Sequence, residues 1–335
     1  MSATTGFNLD ALTEMVNETE FGDKFFMDAL MTNDTFAFAN QYGEVLTGAK
    51  MDSYKLPTME VSATMKSGDG CGFTATDQAT FEQTDLTMVK AKFEGQFCAS
   101  TLEPYFLAKG LPAGQNYTEF NPLQGNIIAR LQEQISKKMA LFPYYGPTGS
   151  DTITYATPWI DLLEDAFGIV VGTSTPTAGG SAGTDAAGVF NIVEALADVY
   201  YNNPDTAADA NNGNIVVSMS PKDARLYFKN YRTLYGDMNI TPALQNLANG
   251  NYMTWTHPGT QISIATQNAL GTENQIIASR KGNQTLAFDL QSDATNLKLW
   301  YDINDDLIKW RLKLKVGTAW RDLTAANVNY WGAAS

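Results

Sequence analysis

The chain has 335 residues, with 22 Lys plus Arg against 36 Asp plus Glu and a formal net charge of −14. That sign argues against a protein built to wrap phosphate, while 44% hydrophobic and 11% aromatic residues supply a sizeable core and exclude wholesale disorder. Only 17% of residues are charged, against roughly 25% in a typical globular protein. The 36 Thr and 25 Asn give a neutral polar surface instead. Such a surface solvates without long side chains that lose entropy when ordered, which suits a protein that buries its outside against copies of itself.

Two cysteines, Cys71 and Cys98, are too few for a disulfide framework and read as free thiols in a reducing compartment. The first thirty residues carry Asp10, Glu14, Glu18, Glu20, Asp23 and Asp28 with no apolar run, so no export signal is read there. The most apolar stretch, 166–171, is far too short to cross a bilayer. Asn-x-Thr sequons at Asn17, Asn33, Asn116, Asn239 and Asn283 occur about as often as chance gives. The expectation is a soluble protein kept inside a cell.

Residues 1–48 are acidic, and Asn8 is placed to cap a short helix carrying Leu9, Leu12, Met15 and Val16. The same segment holds Phe21, Phe25, Phe26, Leu30, Phe36 and Phe38, rings that must be buried on the body or on a neighbour. Residues 50–104 read as strand: Met59 to Lys66 alternates loosely, glycines punctuate 68–72, and Thr87, Val89, Ala91 and Phe93 alternate with Met88, Lys90, Lys92 and Glu94. A two-stranded excursion of this kind is marginal by itself and leans on something else.

The clearest helix spans 121–142. Asn121 caps it, Pro122 takes its first position, and Leu123, Ile127, Ile128, Leu131, Ile135, Met139 and Phe142 form one stripe before Pro143 stops it. From Met139 to Pro221 there is no Lys or Arg but nine Asp and Glu. Within that stretch, 172–188 is a small-residue loop, 186–201 a helix with Val189, Ile192, Val193, Leu196, Val199 and Tyr200 on one face, and 202–213 a second loop. Strand 215–219 then runs through Ser220-Pro221 into a helix with Leu226, Tyr227, Tyr231 and Leu234, closed by Gly236.

The last hundred residues read as strands at 261–266, 275–279, 284–289, 297–302 and 307–316, with Lys281-Gly282-Asn283 as a hairpin turn. In the final run Ile308, Trp310, Leu312, Leu314 and Val316 alternate with Lys309, Arg311, Lys313 and Lys315. One face is therefore buried, and the other carries four cations that are solvated or paired with nearby acid.

Residues able to do chemistry are few. One histidine, His257, and two cysteines cannot close a zinc site at any usual spacing. Asp302, Asn304 and Asp306 imitate the start of a calcium loop, but Leu307 stands where glycine is needed and Lys313 where the bidentate Glu belongs. Gly179-Gly180-Ser181-Ala182-Gly183 matches the nucleophile elbow of serine hydrolases, with Asp205 and His257 downstream in the right order. Against a hydrolase, residues 173–178 separate the match from the preceding strand. Glu164 and Asp165 are helix neighbours that point apart, which disfavours acid–base partnership. A non-catalytic surface or adhesive module remains a further alternative on composition.

In its order of parts the chain resembles the major capsid proteins of tailed bacteriophages, the family with the HK97 fold. The residues that carry the likeness are Asn121-Pro122-Leu123 to Phe142 as the spine helix and Ile215 to Arg225 as the axial strand and helix. Asn274 to Asp289, Leu297 to Asp302 and Ile308 to Lys313 match the closing strands. The resemblance implies an α+β, HK97-like fold: an N-terminal arm over 1–48, an extended β-hairpin loop over 49–104, and a peripheral domain over 105–175 with spine helix 121–142. An axial domain over 176–256 and peripheral closing strands over 257–335 complete it.

It also implies a structural, non-enzymatic protein without cofactor or metal, forming hexamers and pentamers of an icosahedral shell. Its partners would be copies of itself, a portal, and separate scaffolding or decoration proteins. DNA would be enclosed without sequence-specific binding, no membrane would be involved, and the shell would assemble in the host cytoplasm to become part of the virion. Inter-subunit contacts are expected from Phe25, Phe26, Phe36, Phe38, Lys66, Phe73, Lys90, Lys92 and Phe93. Lys66 lies where some family members crosslink a Lys to a neighbour's Asn through a Glu, but no Asn or Glu here matches by motif. An arm of this length is too short to be the cleaved scaffolding region of other members.

Overall fold

The computed structural model describes residues 33–49, 51–61, 79–98, 122–146, 157–166, 168–177, 188–235, 245–246, 252–271, 274–289, 298–302, 305 and 307–332. In chain order the first elements are α1 (Asp34–Tyr42), β1 (Glu44–Thr47), β2 (Ser53–Val61), β3 (Ala79–Thr87) and β4 (Val89–Cys98). Next come α2 (Pro122–Tyr145), α3 (Trp159–Asp165), β5 (Val170–Gly172), α4 (Val189–Tyr201), α5 (Pro204–Asn211), β6 (Ile215–Met219) and α6 (Pro221–Tyr235). The remaining strands are β7 (Gln245–Asn246), β8 (Met253–Thr256), β9 (Ser263–Thr266), β10 (Gln275–Arg280), β11 (Gln284–Phe288), β12 (Lys298–Asp302), β13 (Leu307–Trp320) and β14 (Val328–Gly332).

These strands build an α+β structure on two large sheets and a ribbon. A seven-stranded mixed sheet runs β5-β14-β10-β6-β9-β8-β7, and a five-stranded sheet runs β1-β11-β13-β12 with β4 on the other side of β13. β2 and β3 form a separate two-stranded ribbon. The seven-stranded sheet is covered on both faces, so β6 is buried at every position and β10 at all but Arg280. Ile215, Val217, Ile264, Ile276 and Ala278 face α4 and α6. On the opposite face Ile277, Val328 and Tyr330 join the core under α2, while Val216 and Ala265 meet Phe38 and Tyr42 of α1.

Local sequence accounts for several helix ends. Asn33 caps α1 by accepting from the backbone N–H groups of Thr35 and Phe36. At the start of α6, Ser220 Oγ donates to Asp223 Oδ2 (2.8 Å) and accepts from the Asp223 backbone N–H (3.1 Å). This is a capping box with Asp in place of Glu, and Pro221 sits at the first position. The N-terminus of α4 is capped from another element: Asn230 Oδ1 accepts from the Phe190 N–H at 2.9 Å. Gly188 makes that possible, because a Cβ there would lie 2.7 Å from the same oxygen.

The structure departs from the sequence expectation at several points. Residues 34–47 are part of the body rather than an arm: α1 packs on α2, and β1 pairs in parallel with β11. α2 runs through Pro143 to Tyr145, since a proline in the last turn forfeits only one backbone bond. Residues 204–211 form a helix where a loop was expected, with Asn203 as cap and Pro204 at the first position. The expected long strand around Thr87 is interrupted at Met88, whose N–H donates to the Asp52 carbonyl at 2.9 Å and whose side chain is buried with Leu56 and Leu86.

The largest difference concerns 281–283. β10 and β11 do not pair, so this turn is no hairpin; it hands the chain from the seven-stranded sheet to the five-stranded one. The turn is tied to other elements: Lys281 N–H donates to the Asn214 carbonyl and Gly282 N–H to that of Tyr42. A division of the chain at 257 would likewise separate β8 from β9, which are paired antiparallel.

Candidate assembly surfaces

The ribbon has two unlike faces. β2 and β3 pair antiparallel from Ser53↔Thr87 to Val61↔Ala79. Leu56 and Leu86 turn inward with half-buried Tyr54, packing with Met88, Ala287 and Ala319. Gly317 gives that cluster room, since a Cβ there would lie 2.8 Å from the Met88 sulfur. Thr84 Oγ1 pins the base by donating to the Arg321 carbonyl at 2.8 Å. The other face carries Met59 (63% exposed) directly opposite Phe81 (70% exposed). Two large apolar side chains are thus held out into water on a ribbon of two strands.

The five-stranded sheet is similarly two-sided. Leu312, Leu314 and Val316 of β13 are buried against Ile135 and Met139 of α2. Trp310 is half-buried on the same side and closes over Gly95, where a Cβ would lie 2.7 Å from its Nε1. Between these positions Lys309, Arg311, Lys313 and Lys315 point outward. The neighbouring strands add three more cations to that face beside the acids Glu94 and Asp302: Lys92 stands directly opposite Lys313, Lys90 opposite Lys315, and Lys298 opposite Arg311. Like charges in such positions repel.

Four carboxylates answer these seven cations. Lys309 binds Asp302 (2.7 Å) and Asp305 (2.6 Å), and Lys315 binds Asp52 (3.0 Å). Glu94 binds Lys92 at 2.7 Å and lies 3.6 Å from Arg311. The hydrogen bond from Lys315 holds the Asp52 carboxyl below its ordinary range, and that from Lys92 does the same to Glu94. Hydrogen bonds to Asp302 and Asp305 push the Lys309 ammonium up. Arg311 also lies over the Trp300 ring, 5.6 Å from its centre. Among the described residues, Lys90, Lys298 and Lys313 make no ion pair. The strand's cations are therefore partly paired with nearby acid, as the alternation suggested, and partly bare.

Lys90 and Lys92, expected as contact residues, do stand on an exposed face. Phe36 and Phe38 correct that expectation. Phe36 packs against Phe288 at 6.1 Å between ring centres and Phe38 is fully buried beside Tyr42 and Tyr252, so neither ring is available to a neighbour. Phe93 also turns toward this chain's own core, opposite Leu312. Phe25, Phe26, Lys66 and Phe73 lie outside the described residues, as does Cys71. The exposed pair Met59 and Phe81 went unread in the sequence, because the alternation through 79–87 is broken by Asp85 and Thr87.

The hydrolase set does not come together in the described residues. Ser181 lies outside them, and Asp205 is an exposed residue in the first turn of α5. His257 is fully buried: its Nδ1 is 2.8 Å from the Tyr227 hydroxyl, and its ring stacks against Phe190 at 4.9 Å. Nε2 lies 3.1 Å from Glu194 Oε1, poorly aligned for a hydrogen bond. Burial pushes the Tyr227 hydroxyl well above its ordinary range, so it acts as a neutral partner that packs the ring in place. Among the described residues no three His, Cys, Asp or Glu side chains gather to hold a metal ion, and Asp302 of the calcium-like run is occupied by Lys309.

Comparison with solved structures places this architecture. A chain of the structure described as "Satellite phage P4 procapsid including size determination (Sid) protein" is similar over 99% of this chain and 94% of that one, with a TM-score of 0.58 and 11% identity. The chain carries the fold of phage capsid proteins. A chain of "The capsid of Myoviridae Phage XM1" matches over 89% of this chain and 92% of that one at a TM-score of 0.51 and 11% identity. One from Gordonia phage Cozz matches over 89% and 86% at 0.52 and 10% identity. No family model and no curated protein matches the sequence. The capsid fold is thus shared at 10–11% identity. No helix among the described residues is long and apolar enough to cross a membrane.

Proposed function

We propose that this protein is a non-enzymatic major capsid protein whose copies assemble, as hexamers and pentamers, into the icosahedral shell of a tailed phage. The observation that carries the reading is the likeness to a procapsid chain over 99% of the length. The ribbon supports it: a two-stranded excursion with Met59 and Phe81 in water is completed when a neighbouring copy covers it. Heterologous contacts of this kind close into rings, and rings tile a shell. In the HK97 layout the ribbon is the extended loop lying over a neighbour, α2 is the spine of the peripheral domain, and α4 to α6 belong to the axial domain. A net charge of −14 suits a container for densely packed DNA that is enclosed without sequence-specific binding. Portal, scaffolding and decoration proteins are the further partners, the virion the final location, and the host cytoplasm the site of assembly.

Electron microscopy with light scattering on the purified chain tests this directly. Closed shells, or free hexamers and pentamers, are the expected result. The pair Met59→Ser/Phe81→Ser should leave monomer stability within about 0.5 kcal/mol yet remove the particles. A chain that stays monomeric across salt and protein concentration, also when co-expressed with the other structural proteins of its genome, would overturn the reading.

A further inference from the structure

We propose that four lysines on the outer face of the five-stranded sheet, Lys90, Lys92, Lys313 and Lys315, form a binding site for a multivalent oligophosphate. β4 and β13 lie antiparallel, and their outward residues meet in rows: Lys90 opposite Lys315, Lys92 opposite Lys313, Glu94 opposite Arg311, and Gln96 opposite Lys309. The third row sets acid against base, and the fourth sets a single cation against an amide. The first two rows place like charges directly across the ladder, where they repel. Leu312, Leu314 and Val316 already hold β13 to the core from its other side, so the packing of the fold does not call for this quartet. An anion of high charge turns the repulsion into attraction.

The quartet has the dimensions of one compact ligand. Its corners lie about 5 Å apart across the ladder and about 7 Å apart along each strand, within reach of one anion for four flexible side chains. Lys92 is 48% exposed and bound to Glu94 at 2.7 Å, while Lys315 is only 15% exposed and bound to Asp52 at 3.0 Å. These two held lysines occupy one diagonal. Lys90 and Lys313 occupy the other; both are exposed, and neither makes an ion pair among the described residues. An ammonium has three donors, so Lys92 and Lys315 keep their carboxylates and still donate to the ligand. Lysine binds phosphate as a point charge without a fixed fork, which suits a short phosphate chain charged on every unit. Asp52 and Glu94 stand at the two ends of the quartet and confine its positive field to two rows. That is a spot, not the long basic groove that tracks a nucleic-acid backbone.

Calorimetric titration of the purified full-length chain with sodium tripolyphosphate tests the site, at about 10 mM ionic strength where screening is weak. Saturable binding of one ligand per chain is expected, and it should weaken as ionic strength rises to about 0.15 M. Lys90→Gln/Lys313→Gln removes the unpaired diagonal without stranding either carboxylate, and should raise Kd at least about tenfold. Lys298→Gln, on the same face but outside the quartet, should leave Kd within about twofold. Far-UV circular dichroism of both variants without ligand should match the wild type. No binding by the wild-type chain would overturn the site. So would an equal loss at Lys298→Gln, because the face would then act as a diffuse field. A DNA duplex that displaces tripolyphosphate and is itself released by Lys90→Gln/Lys313→Gln would overturn the assignment as well, giving the quartet to a nucleic-acid backbone. The readout needs no particle, so the site stands or falls separately from the shell reading.

Discussion

The two large sheets solve the same problem differently. The seven-stranded sheet is covered by helices on both sides, and β6 and β10 have almost no exposed position. The five-stranded sheet buries one side against α2; on the other side the ribbon base covers Ala287 and Ala319, and β4, β12 and the first part of β13 are left as a field of cations, with the ribbon's apolar pair standing off beside it. The inner faces are equally dry, so the difference is not one of core quality. A sheet buried on both sides is complete within one chain, whereas a one-sided sheet bearing mutually repelling charge gains from contact with something outside. The division separates the part of the molecule that holds the fold from the part that the shell reading assigns to assembly.

Truncations test whether that division is real. Trp159 is fully buried behind the five-stranded sheet, edge-on to Tyr144 at 5.1 Å, with its Nε1–H donating to the Ala319 carbonyl at 3.1 Å. Trp159→Ala should cost about 3–5 kcal/mol in denaturant unfolding. Ile264→Ala in the seven-stranded sheet should cost a comparable amount, about 2–5 kcal/mol. Lys313→Ala, on the outer face, should stay within about 0.5 kcal/mol. A loss near 2 kcal/mol at Lys313 would break the comparison, because the outer face would then be holding the fold.

Smaller effects sharpen the picture within the self-contained half. Gly188→Ala drives a Cβ to 2.7 Å from Asn230 Oδ1 and disturbs the bond that caps α4. The expected loss is about 1–3 kcal/mol, and a neutral result would mean that Asn230 can move without releasing the helix. Asn203 Oδ1 accepts from the Asp205 N–H at 3.0 Å at the exposed start of α5. Asn203→Ala should therefore cost about 1 kcal/mol, seen as a small shift of the unfolding midpoint with an unchanged slope.

Some of this could be read from residue order and some could not. The spine helix was visible because seven apolar residues at helical spacing lie between Asn121-Pro122 and Pro143. The two-sided strand β13 was visible because Leu and Lys alternate. Both signals exist because each element has one wet face. β10 and β11 lack that contrast: they are buried on both sides, show no alternation, and so reveal neither their partners nor the sheet switch at 281–283. α5 was missed because its Ala, Asp and Asn residues look like a loop, although Asn203-Pro204 was a readable helix start. The contact residues fared unevenly for a similar reason. An aromatic ring looks the same in sequence whether it ends inside its own chain, as Phe36 and Phe38 do, or in water, as Phe81 does. Lysines on a strand facing its own core are rare, so Lys90 and Lys92 could be placed outward from the pattern alone.

The subtlest expected effect separates buried acid from surface acid by pH. Asp34, at the start of α1, accepts from the Asn268 N–H at 2.7 Å and the Thr35 N–H at 3.0 Å, yet burial dominates and pushes its carboxyl above the ordinary value of 3.8. The folded state therefore holds that proton more tightly than the unfolded chain. Its contribution to stability is full below 3.8 and is lost as pH rises through the folded value. Asp52 and Glu94 on the cationic face are shifted the other way, by Lys315 and Lys92. Their contribution is present above the unfolded value and is lost as pH falls. In wild-type protein the two trends occupy successive windows: Asp52 and Glu94 add stability as pH rises toward their ordinary values, and Asp34 withdraws it as pH rises above 3.8. Asp34→Asn removes only the buried term, and its midpoints should rise relative to wild type as pH increases from about 4. Parallel curves for the two proteins would mean that the backbone hydrogen bonds to Asp34 cancel the effect of its burial, and the boundary between dry and wet acid would then have to be redrawn at α1.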